Sequence, residues 1–91
     1  MSIKIHIPTV FRPSTAGAEF VEVEGTTVAT ALTELCAKHE GLRGRLFKEQ
    51  DRLNRFINVY LNDEDIRYLS ELKTPVRDGD KLSLVPAVAG G

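Results

Sequence analysis

The sequence of 91 residues has no tryptophan and only one cysteine. A single thiol, Cys36, excludes an internal disulfide and any multi-thiolate metal site, and it suits a reducing compartment. No stretch approaches the roughly 20 consecutive apolar residues of a membrane-spanning helix. The opening Ile3-Lys4-Ile5-His6-Ile7-Pro8 alternates where a secretory signal would run apolar. The expectation is a soluble cytoplasmic protein. An excess of one charge is also missing: 12 Lys+Arg against 13 Asp+Glu give a net charge of −1. That balance argues against a chain whose main work is gripping nucleic acid or anionic membrane. There is no phosphate-cradling glycine loop and no Ser/His/Asp set in a persuasive context. Neither a bound cofactor nor a metal site is expected.

What is present suits one small domain. Hydrophobic residues make up 42% and charged residues 27%, a globular balance rather than a disordered one. A chain this short buries somewhat over ~60% of its unfolded surface, so its one core is thin.

Ile3, Ile5 and Ile7 alternate with Lys4 and His6, the period of a half-buried strand that Pro8 closes. Phe11-Arg12-Pro13-Ser14-Thr15-Ala16-Gly17 is dense in breakers and reads as a long turn. Alternation resumes over Glu19-Phe20-Val21-Glu22-Val23-Glu24, a hairpin partner for the first strand, ended by Gly25. Thr26 or Thr27 supplies an N-cap oxygen. Val28, Ala31, Leu32, Leu35 and Cys36 then recur at i, i+3, i+4, i+7 and i+8, the apolar stripe of a helix. Lys38 and His39 suit the negative end of its dipole, and Gly41 is placed to take the left-handed C′ conformation.

From Leu42 to Arg55 the sequence is charged, with Leu46, Phe47 and Leu53 as anchors. A short helical turn over Gly44 to Phe47 and then an exposed loop are expected. Phe56 to Leu61 is a strand with Ile57, Val59 and Leu61 on one face and Phe56, Asn58 and Tyr60 on the other. Asn62-Asp63-Glu64-Asp65 is turn chemistry, Ile66-Arg67-Tyr68 a short edge strand, and Leu69 to Val76 a turn under which Leu69 and Leu72 pack. After the turn Asp78-Gly79-Asp80, Lys81 to Val85 forms the last strand, with Leu82 and Leu84 inward and Ser83 and Val85 outward. This order implies an α+β layer structure in which one helix covers one face of a mixed sheet.

The least ordinary segment is the last, Val85-Pro86-Ala87-Val88-Ala89-Gly90-Gly91. Pro86 lacks an N–H and limits further sheet pairing. The five residues after it are small or β-branched and uncharged. Fully extended they reach on the order of 17 Å. Two glycines leave the final carboxylate with no side chain beside it, so such a tail can thread a narrow channel into another protein's active site. The competing reading is a frayed end.

The element order together with Gly90-Gly91 resembles the ubiquitin-like β-grasp sulfur carriers, the family of the thiamine and molybdopterin carriers. The resemblance covers essentially the whole chain and is most specific from Asn58 to Arg67 and from Asp78 to Gly91. The ending Pro86 to Gly91 is most similar to the carriers of thiocarboxylate-dependent cysteine biosynthesis. Molybdopterin synthase small subunits more often show two prolines before the valine, where this chain has Pro86-Ala87. The resemblance implies a ubiquitin-like β-grasp domain over 1–85, with a mixed sheet of four to five strands and one main helix, and an extended tail over 86–91. It also implies a protein co-substrate rather than an enzyme. An ATP-using activating enzyme would adenylate the Gly91 carboxylate, and sulfur would replace AMP to leave a thiocarboxylate. That group would attack an aminoacrylate on the pyridoxal phosphate of a cysteine synthase, and a metalloprotease would release the new cysteine. Gly90, Ala89, Val88, Ala87 and Pro86 would form the arm. The alternatives are the small subunit of molybdopterin synthase, a ubiquitin-like protein modifier, and a β-grasp binding module with an inert tail.

Other residues invite weaker readings. Cys36 lies on the helix stripe and reads as a buried, inert hydrophobe. His6 and His39 lack a nucleophile or ligand partner. Asp63-Glu64-Asp65 lacks the spacing of a calcium loop and reads as a solvated turn. Phe56, Tyr60 and Val85 share the outward face with His6, Asn58 and Ser83 and form a docking patch if contiguous. Arg67, Arg77 and Lys81 are available to acidic groups on a partner or to solvent.

Overall fold

The computed structural model describes residues 2–48, 52–54 and 56–86; the expectations placed on 87–91, including Gly90 and Gly91, lie outside them. Alternating isoleucines build β1 (Ser2–His6), which pairs antiparallel with β2 (Phe20–Glu24) in the register Ile3↔Val23 and Ile5↔Val21. The breaker-rich connection is more ordered than a turn. It winds into a 3-10 helix over Thr9–Thr15 that buries Phe11 and Thr15. The buried Thr15 hydroxyl is satisfied, with Arg12 O at 3.2 Å and Ala18 O at 3.0 Å, which keeps the segment on the core instead of in water.

Gly25 then leads into α1 (Val28–Lys38). A Cβ at position 25 would stand 2.9 Å from Ala31 N, so only glycine lets the chain pass so close to the helix. Of the two threonines, Thr27 is the N-cap: Thr30 N donates to Thr27 Oγ1 at 3.2 Å, and Thr27 N donates to Thr30 Oγ1 at 2.9 Å. This reciprocal pair is a capping box with threonine in the position usually held by Glu or Gln. The buried residues of α1 are Val28, Ala31, Leu32, Leu35 and Cys36, the stripe read from the sequence. The helix end departs from expectation. His39, not a left-handed Gly41, closes it, with φ −135° and its N–H on Leu35 O. The chain turns directly into a 3-10 helix over Glu40–Leu42, so no left-handed residue is needed.

The charged segment also holds more structure than a turn and a loop. After α2 (Arg43–Leu46), β3 (Phe47–Lys48) and β4 (Arg52–Leu53) pair as a small second sheet, Phe47 opposite Leu53 and Lys48 opposite Arg52. Leu42 and Leu46 are fully buried. β5 (Ile57–Leu61) meets the edge strand β6 (Glu64–Asp65) through a turn with Asn62 at φ 57°. The edge strand is therefore not Ile66-Arg67-Tyr68. Asp65 accepts the Arg67 N–H at 2.9 Å and winds Ile66–Tyr68 into a 3-10 turn instead. A further 3-10 turn at Glu71–Lys73 tucks Leu69 and Leu72 against the core.

Gly79, at φ 90°, makes the turn into β7 (Lys81–Pro86). β7 enters between β1 and β5, giving a five-stranded mixed sheet of order β2-β1-β7-β5-β6. Its β1 contact is parallel (Ile5↔Leu82) and its β5 contact antiparallel (Val59↔Leu84). α1 covers the face carrying Ile3, Ile5, Val59, Leu82 and Leu84, all essentially inaccessible to water. No helix among the described residues is long and apolar enough to cross a membrane. Leu84→Ala should cost about 2–5 kcal/mol, the usual range for a fully buried leucine, and Thr27→Ala about 1 kcal/mol, both read by urea unfolding.

Candidate functional site

The site is built around the end of β7. Asn62 N donates to Lys81 O at 2.7 Å, so Lys81, Ser83 and Val85 turn their backbone groups to β5, while Leu82, Leu84 and Pro86 turn theirs to β1. The β1 ladder stops at His6↔Ser83. The missing N–H of Pro86 thus falls beyond the last parallel rung and leaves no acceptor orphaned. On the other side Pro86 stands opposite Ile57, whose own amide is taken by Asn54 O at 3.0 Å. The strand that leads to the tail is consequently flanked by β1 as far as Ser83 and by β5 as far as Pro86.

The outward face carries one continuous row across four strands. Register places Phe20 beside His6, His6 beside Ser83, and Ser83 beside Tyr60. His6 and Phe20 meet edge-on with centroids 5.2 Å apart, and Lys4 Nζ lies 5.3 Å from the Phe20 ring centre. One rung nearer the tail, Val85 stands opposite Asn58. Val85, Phe20 and Phe56 are exposed and Tyr60 half-buried. Phe56 directly precedes β5 on this side. Phe20 was not among the residues singled out from the sequence. The signal was there: Phe20 sits in the polar phase of its strand, with Glu22 and Glu24.

Behind the start of β5 a cleft of about 220 Å³ is lined by Leu53, Ile57, Val59, Ile66, Leu72 and Arg67, among others. The acidic run beside it is not wholly solvated. Asp63 and Glu64 are exposed, but Asp65 is buried and bonded to Arg67 Nη2 at 2.8 Å and Nε at 3.2 Å. Those hydrogen bonds hold the Asp65 carboxyl below the ordinary carboxylate range and raise the Arg67 guanidinium. Arg67 is thereby engaged within the chain, unlike Arg77 and Lys81, which have no ion pair among the described residues. His39 closes the helix, and His6 lies 3.9 Å from Glu19. Among the described residues no group of three or more His, Cys, Asp or Glu could hold a metal ion. Burial pushes the Cys36 thiol up, against the opposing pull of Arg43, so it stays protonated and unreactive.

Known proteins are similar to this chain in both fold and sequence. The model of the ThiS family matches residues 5–91. The chain belongs to the ThiS family. It is 40% identical to the sulfur carrier protein CysO of Mycobacterium tuberculosis, over the full length of both proteins. A crystal structure of the Amycolatopsis orientalis BexX/CysO complex contains a chain superposing with a TM-score of 0.90 at 46% identity, covering 98% of this chain and 99% of that one. Small archaeal modifier protein 3 of Haloferax volcanii is 37% identical over 68 residues, 75% of this chain and 73% of the relative. The ThiS-family assignment agrees with the ubiquitin-like β-grasp architecture described above.

Two outcomes follow from the site's chemistry. A thiol reagent should find no accessible group in native buffer and the single cysteine only after denaturation. For Asp65 the folded carboxyl titrates below its unfolded counterpart, so its contribution is complete above the ordinary carboxylate range and vanishes as pH falls through the folded value. The stability gap between wild type and Asp65→Asn, from urea melts at stepped pH, should stay constant above about pH 5 and close on acidification.

Proposed function

We propose that this ThiS-family chain is a sulfur carrier whose reactive group is the Gly91 carboxylate. A carboxylate is a poor electrophile until one oxygen becomes part of a good leaving group. An ATP-dependent activating enzyme joins that oxygen to AMP and releases pyrophosphate. A sulfide-level donor then attacks the acyl carbon, the C–O bond to AMP breaks, and a thiocarboxylate remains with a proton released. Gly90 gives passage through a narrow channel, and Ala87, Val88 and Ala89 extend the arm from Pro86. Phe56, Tyr60 and Val85, with Phe20, form the surface a partner grips beside the arm's root. The acceptor is a pyridoxal-phosphate enzyme making cysteine, and a metalloprotease restores Gly91. The observation that carries this reading is full-length similarity to CysO in a chain whose sequence closes on Pro86-Ala87-Val88-Ala89-Gly90-Gly91.

A second reading, a protein modifier joined through Gly91 to a lysine, is favoured by the similarity to the Haloferax volcanii modifier protein. Intact-mass analysis of the protein from its native cell separates the two. Sulfur carriage gives the shift of one oxygen replaced by sulfur, whereas a modifier gives higher-mass conjugates. Deleting Gly91 should abolish either product and move the unfolding free energy by less than about 0.5 kcal/mol, as surface changes do. An unchanged mass and no conjugates would leave an inert binding module.

A further inference from the structure

The end of the sheet at which β7 finishes carries cations that have no ion pair among the described residues. Arg12 Nε donates to Ile7 O at 3.1 Å, which fixes this guanidinium just past the end of β1. The Arg45 guanidinium lies 5.8 Å from the Phe11 ring centre in the same 3-10 segment. The Arg45 carbonyl accepts Asn54 Nδ2 at 3.1 Å, and Asn54 O in turn accepts the Ile57 N–H, opposite Pro86. Two residues before Asn54, Arg52 faces Lys48 across the β3–β4 hairpin. Arg45, Lys48 and Arg52 are exposed, and none has an ion pair among the described residues. At this end Glu19 lies 3.9 Å from His6 Nε2, and in the sequence Glu49 and Asp51 lie between Lys48 and Arg52.

Like charges directly opposed in a ladder are destabilising, and here they stand on a hairpin of only two rungs. In a chain of net charge −1 this collar is a local concentration, not a general excess. We propose that Arg12, Arg45, Lys48 and Arg52 form a cationic collar around the root of the tail that docks a protein surface whose active-site entrance is rimmed by carboxylates. The collar rests on the sulfur-carrier reading, since it supposes that the tail enters a partner. Its task is encounter and orientation: rim charges steer association and set its salt dependence more than they hold the final complex. The four cations sit at one end only, so the field draws the tail-bearing end forward.

The test uses the full chain and the ATP-dependent activating enzyme of the same organism, with adenylate formation measured at stepped salt. Wild type should show a KM rising steeply with salt. Arg45→Glu should raise KM roughly tenfold at low salt and flatten that dependence, the pattern of a lost rim charge. Lys48→Glu with Arg52→Glu should do the same without touching the Phe11 stack. Lys73→Glu makes the same charge change at a residue outside the collar, in the 3-10 turn Glu71–Lys73, and should leave KM at the wild-type value. If wild type is activated normally and the collar variants match it or match Lys73→Glu, the collar is wrong and the carrier reading stands. If wild type forms no adenylate at any salt, the carrier reading fails and the collar with it.

Discussion

The double pairing of β7 is the constraint on which the rest of the structure depends. It lies parallel to β1 and antiparallel to β5, and it sends Leu82 and Leu84 into the layer under α1. Until it is seated, the β1–β2 hairpin and the β5–β6 hairpin have no common sheet, and the isoleucines of β1 have water on one flank. Seating it closes a loop of nearly the whole sequence, an entropic cost that grows slowly with length. Burial of side chains such as Leu82 and Leu84, each worth about 1.5–3 kcal/mol, offsets it. The same strand then carries the chain to Pro86. The strand that completes the sheet is thus also the one that leads out of it.

Most of the frame was legible in the sequence because its periods are strong. The isoleucine alternation, the helix stripe and the inward leucines of β7 all fell where the residues placed them. What escaped was local chemistry that competes with a period. The run Ile66-Arg67-Tyr68 looks like a strand, but the carboxylate of Asp65 captures the Arg67 amide and turns the backbone away from the ladder. Gly41 looks like a helix stop, yet the chain re-enters a tight helix without a left-handed residue. The β3–β4 hairpin was hidden because two-residue strands have no measurable alternation. For the candidate site, the sequence pointed to Phe56, Tyr60 and Val85, but only register could place Phe20 in line with His6, Ser83 and Tyr60.

The division of labour across the molecule follows from that frame. One face of the sheet is spent on the core under α1. The other is left open, with aromatic and aliphatic side chains spaced among small polar ones. The buried thiol and the Asp65–Arg67 pair belong to the fold's own upkeep: one is sealed from reagents, the other settles how the chain leaves β6.

One mechanical consequence lies in the way β7 is flanked. Its hydrogen bonds to both neighbours run across the strand direction, so a pull on Pro86 along the strand axis loads the rungs of both ladders together. That is a shear geometry, in which no single rung can be unzipped ahead of the next. A machine that tugs on the end of this chain meets the resistance of the whole sheet, and the handle can be hauled without unravelling what it is attached to.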